Sequence, residues 1–76
     1  MTKVSLSELV DLALEVEKED PIDFGMLSIN EKTAFTLMAS YVLVELDNDD
    51  LVNKAVITKL LVENMVLNLQ LTAARQ

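Results

Sequence analysis

Residues 33–44, Thr-Ala-Phe-Thr-Leu-Met-Ala-Ser-Tyr-Val-Leu-Val, form a run of twelve without a charge, glycine or proline, in a chain where 25% of residues are charged. A helix through such a run has almost no polar face, and a helix apolar nearly all round must be covered on more than one side. The run Tyr41-Val42-Leu43-Val44 also fits a short strand. Its length, a helix-start signal upstream and the lack of a second strand to pair with favour the helix.

The covering material is limited. Seventy-six residues make one domain, and a chain of this size hides only about 60% of its unfolded surface. Small domains compensate with disulfides, a metal or oligomerisation. With no Cys and no His, disulfides and zinc-type sites are excluded. Oligomerisation or dense helix packing is left. An apolar content of 51% is too high for a disordered chain, and one Gly and one Pro fit helices.

Capping signals divide the chain. Ser5-Leu6-Ser7-Glu8 reads as a capping box, with Val4 and Leu9 at the positions of a hydrophobic staple. A first helix is predicted over 6–19, ended by Asp20-Pro21 because the residue before proline leaves the helical region. Its apolar residues Leu6, Leu9, Val10, Leu12, Ala13, Leu14 and Val16 spread over roughly 200°. Asp20 is expected to cap a single turn through Pro21 and Asp23, closed by Gly25 in a left-handed conformation. Ile22, Phe24, Met26 and Leu27 are expected to form a lid on one end of the core.

Ser28-Ile29-Asn30-Glu31 reads as a second box, so a second helix is predicted over 29–46. After Asp47-Asn48-Asp49-Asp50, with Asn48 or Asp49 as the expected N-cap, a third is predicted over 50–74, roughly 37 Å long. It carries two nearly opposite apolar stripes. One holds Leu51, Ala55, Val62, Met65, Val66, Leu69 and Ala73; the other holds Val56, Leu60, Leu67, Leu71 and Ala74. Ile57 and Leu61 lie on a third flank among Asn53, Asn64 and Asn68. So much apolar surface exceeds what one short chain hides. The expectation is an all-α, three-helix arrangement with helices 2 and 3 antiparallel, completed as a helical homodimer or higher oligomer. Phe35, Met38, Tyr41, Val42 and Leu46 of helix 2, with Val56, Leu60, Leu67 and Leu71 of helix 3, are the expected interface. Tyr41 is expected either to pack in the core with its hydroxyl at a rim or, as the sharper alternative, to anchor this interface, tyrosine being common at binding hot spots. Asn64, at a dimer seam, would set register.

The net charge of −7 is uneven: residues 1–50 carry twelve acids against three bases, and the remainder one acid against three bases. Phosphate backbones and anionic membranes repel such a chain, so neither nucleic acid nor membrane is an expected direct partner. The first residues lack the apolar core of a signal peptide, and no uncharged run reaches the roughly 20 residues of a bilayer span. A cytoplasmic location is the expectation.

Chemistry-bearing patterns are sparse. The acids at 47–50 suggest a calcium loop, but Val52 stands where glycine is needed and Thr58 where a bidentate glutamate is needed. Glu8, Asp11, Glu15 and Glu19 form an acidic stripe opposite the apolar face of helix 1, where water and not a shared metal is the expected neighbour. Without His, Cys or a glycine-rich loop, and with Ser40 and Lys59 in no recognisable motif, no enzyme activity, cofactor or metal is expected. Two functions remain. The chain is expected to be a small interaction module (subunit, adaptor or regulator) that self-associates and contacts another protein. The alternative is an acidic mimic of nucleic acid that inhibits a basic nucleic-acid-binding protein, as small virus-encoded inhibitors do.

Overall fold

A computed structural model describes residues 5–25, 27–46 and 50–75. The described residues form three α-helices and no strand: α1 Leu6–Glu19, α2 Glu31–Glu45 and α3 Leu51–Ala74, each packed against both others.

The helix boundaries follow from their caps. In α1 the Ser5 hydroxyl accepts from the Glu8 amide at 3.1 Å, and it donates to Glu8 Oε1 at 3.0 Å. The box is therefore closed through the Ser5 hydroxyl and not through its amide. Val4, the outer half of the expected staple, lies outside the described residues. The second helix starts later than Ile29: Asn30 is its N-cap, accepting from the Thr33 amide at 3.0 Å. Asparagine caps at least as well as serine, so Ser28 stays outside as part of the connection. Asp50 caps α3 in the same way, accepting from the Asn53 amide at 3.1 Å and from the Asn53 side chain at 2.9 Å. Asn48 and Asp49, the expected caps, lie outside the described residues, as does Asp47.

The connection after α1 is not a helical turn. Asp23 Oδ1 accepts from the Gly25 amide at 2.8 Å, and Gly25 takes the left-handed φ of 59° that glycine adopts without strain. Ile22 is buried, and Phe24 and Leu27 pack half-buried against the core, so the expected lid is present. Met26 lies outside the described residues. Asp20 caps no turn; its carboxylate meets Lys59 of α3 instead.

The core is built from Leu9, Val10 and Ala13 of α1, Ala34, Phe35, Ala39 and Val42 of α2, and Ala55, Val62 and Val66 of α3, with Ile22 from the connection. Alanine on all three helices lets their axes approach closely, leaving Phe35 as the largest fully buried side chain. Thr58, also fully buried, returns its hydroxyl to the Lys54 carbonyl at 2.7 Å, so no polar atom is stranded.

Two lysines of α3 face inward. Lys54 is 5% exposed and Lys59 2%. Lys59 Nζ donates to Asp20 at 3.1 Å and lies 3.5 Å from Glu63, tying the middle of α3 to the end of α1. Burial pulls its pKa down, but the hydrogen bond to Asp20 and the charges of Glu63 and Asp20 outweigh that pull, leaving it above the ordinary lysine value of 10.5. A lysine raised on folding stabilises the fold fully below its unfolded pKa. That contribution disappears as pH rises through the folded value. Lys59→Met, which keeps the buried stem, is expected to abolish the part of the stability loss above pH 10.5 that belongs to this group, measured by urea titration at pH 8 and pH 11.

Candidate functional site

The helices leave two surfaces with distinctive chemistry, one acidic and one apolar.

The acidic surface is an open cleft of about 790 Å³ lined by Glu8, Asp11, Leu12, Leu14, Glu15, Glu17 and Lys18 of α1, Glu31 and Lys32 at the start of α2, and Leu51. Three members of the expected acidic stripe, Glu8, Asp11 and Glu15, are on its wall; Glu19 is exposed but does not line it. Glu17 and Glu31 were absent from that stripe, and they are the two carboxyls the fold brings together. The Glu17 carboxylate accepts from the Ile22 amide at 3.1 Å, which holds it at the end of α1 beside the first turn of α2. Burial, a hydrogen bond to Glu17 and the Glu17 charge all push the Glu31 pKa above its ordinary 4.5. The nearest sequence signal was local: Glu17 stands off the exposed stripe, toward the apolar face of α1.

The remaining charges of the cleft are loosely held. Lys18 and Glu15 lie 3.5 Å apart with both side chains mostly exposed, a pair that contributes little in water. Among the described residues, no three acidic side chains converge closely enough to hold a metal ion.

The apolar surface lies on α2 and α3. Of the nine expected interface residues, Phe35 and Val42 are 0% and 1% exposed, enclosed by the chain's own helices, and so are not available to a second molecule in this fold. Met38 and Leu46 are half-buried against the same core. Tyr41 is exposed, and beside it on the helix stand Leu37 and Val44, also exposed. The spacing i, i+4, i+7 places these three on one face. A helix apolar on every side gives no polar stripe from which to fix its rotation, which is why the buried and open faces of α2 were interchanged in part.

On α3 the division is clear. Ala55, Val62 and Val66 of the first stripe are buried, with Leu51 and Met65 half-buried. The second stripe is open to solvent: Val56 at 38%, Leu60 at 51%, Leu67 at 58% and Leu71 at 51% exposure. Val52 is exposed beside it, and Leu69 and Ala73, toward the end of the first stripe, are exposed as well. No helix among the described residues is long and apolar enough to cross a membrane.

Comparison of the chain with models of protein families, with characterised proteins and with solved structures gave no match.

The raised pKa of Glu31 has a measurable consequence for stability. A carboxyl whose pKa is raised on folding weakens the fold while it is ionised, and that cost vanishes as pH falls through the folded value. Glu31→Gln is expected to raise the melting temperature at pH 7, with the advantage shrinking as pH falls through the raised value and lost below 4.5, the ordinary value of this carboxyl. Thermal unfolding followed by circular dichroism across pH 3.5 to 7.5 checks it, the range being set to bracket roughly the usual carboxyl titration.

Proposed function

We propose that the protein is a small acidic interaction module, working as a subunit, adaptor or regulator, that self-associates through an apolar helical surface and in that form meets another protein. The observation that carries this reading is the open stripe Val56, Leu60, Leu67 and Leu71 along α3. A monomeric soluble protein rarely leaves so many large aliphatic side chains contiguous and uncovered. In this reading the chain has no catalytic role, no cofactor and no metal, works in the cytoplasm, and touches neither nucleic acid nor membrane directly.

Leu60→Glu and Leu67→Glu place a carboxylate on the open stripe, away from the buried side of α3. Each is expected to keep the helical circular dichroism of the parent while sedimentation velocity shifts from an associated species to a monomer. A parent chain that sediments as a monomer at concentrations of hundreds of micromolar would sink the reading.

The acidic cleft supports a second reading, in which Glu8, Asp11, Glu15 and their neighbours imitate a phosphate backbone toward a basic nucleic-acid-binding protein. Binding of that kind is screened by salt, whereas apolar association is not. The triple variant Glu8→Lys, Asp11→Lys, Glu15→Lys is expected to remain associated if the apolar stripe is the functional surface. Loss of partner capture in that variant, together with collapse of capture between low and high salt, would favour the mimic instead.

A further inference from the structure

The open stripe of α3 follows a heptad. Ile57, Asn64 and Leu71 stand seven apart, as do Asn53, Leu60, Leu67 and Ala74, and the two series alternate at spacings of three and four. This is the a/d pattern of a coiled-coil seam, with Ile57, Asn64 and Leu71 at a and the others at d. The seam lies on the side of α3 turned away from its buried residues. Leu60, Leu67 and Leu71 are about half exposed, Asn53, Asn64 and Ala74 are exposed, and Ile57 is half-buried at the margin.

Three observations identify the occupant as a second copy of this chain. The first is area. The chain exposes 5344 Å² of surface and measures 48 × 23 × 16 Å. A compact protein of its mass would expose about 4,650 Å². The surplus is close to the roughly 800 Å² that each partner contributes to a standard interface. The second is charge. The chain carries −7, so most ways of bringing two copies together oppose acid to acid. Every a and d position of the seam is uncharged, and the one acid flanking it, Glu63, is held 3.5 Å from Lys59 of its own helix. The third is length. With 24 residues against 14 and 15, α3 outruns its neighbours by about 14 Å, carrying Leu67 and Leu71 beyond the strongly buried part of the helix.

Resting on the self-association proposed above, we infer that two copies pair through α3 as a parallel, in-register two-stranded coiled coil in which Asn64 meets Asn64 of the second copy. The orientation follows from the asparagine. In a parallel pair a positions face a positions, so the two amides donate to and accept from each other. In an antiparallel pair a faces d, and Asn64 would be buried against leucine with its amide unsatisfied. Isoleucine at a with leucine at d favours two strands, as Ile57 with Leu60 and Leu67 supplies here, and a polar a position selects register and number of strands; Asn53 and Ala74 stand at the two ends of the d series. Asn53 and Asn68 are not equivalent, since Asn53 donates to Asp50 and Asn68 to the Asn64 carbonyl within the same chain.

The chain has no cysteine, which makes cross-linking unambiguous. Leu60→Cys and Leu71→Cys are prepared separately and oxidised mildly as the full-length protein. The two sites are about 16 Å apart along the helix, so an antiparallel pair brings at most one of them against its own copy. Both variants are expected to form disulfide-linked homodimers while remaining fully helical. Cross-linking only in a mixture of the two, or in one alone, overturns the parallel register. It leaves self-association standing if the parent sediments as a dimer; a monomeric parent overturns both. Asn64→Leu is expected to stay associated but to spread over trimers and larger species in sedimentation equilibrium. A single clean dimer from that variant removes the role assigned to Asn64.

Discussion

The structure depends on a mismatch between the apolar surface the chain carries and the surface three short helices can cover. Without a cysteine to form a disulfide, a chain of 76 residues must rely chiefly on burial. The alanines at 13, 34, 39 and 55 bring the helices close, and Phe35 fills the space that remains. That core uses one side of each helix. The other side of α3 is also largely apolar, and among the described residues it stays exposed. The exposed stripe is thus the remainder of the same composition that makes the core.

Charge is distributed so that the remainder stays usable. The acids cluster on α1, in the connections and at the ends of α2, while α3 contains only Glu63 among its acids and turns Lys54 and Lys59 inward. Lys59 shows how a buried cation is tolerated: its stem packs in the core and its ammonium reaches the carboxylates of Asp20 and Glu63 near the surface. The same contacts neutralise the acid that would otherwise flank the open stripe. A dense negative surface on one side of the molecule keeps it dispersed. The open stripe of α3 carries none of these acids.

Much of this was legible from local chemistry. The first helix has its predicted limits because a serine cap and an Asp-Pro stop are both short-range devices. The opposed stripes of α3 could be read from spacing, since its polar residues mark the rotation of the helix. What escaped was of two kinds. The start of α2 moved to Asn30 because two competent caps, Ser28 and Asn30, stand two residues apart, and their competition is decided by the path of the chain arriving from Leu27. The rotation of α2 escaped because a helix without a polar side has no internal reference, so Leu37 and Val44 could not be told from Phe35 and Val42. The remaining surprises are contacts across long sequence separation, Glu17 with Glu31 and Lys59 with Asp20, which no local pattern encodes.

These two long-range contacts also bear on how the surfaces relate. Glu17 and Glu31 join α1 to α2 at the acidic cleft, and Lys59 joins α1 to α3 at the back of the apolar stripe. The end of α1 is common to both. Glu31, whose ionisation is disfavoured, therefore meets the end of α1 one turn from the residue that anchors the middle of α3, Glu17 and Asp20 standing three positions apart. Protonating Glu31 relieves repulsion where α1 meets α2 without touching the Lys59 anchor.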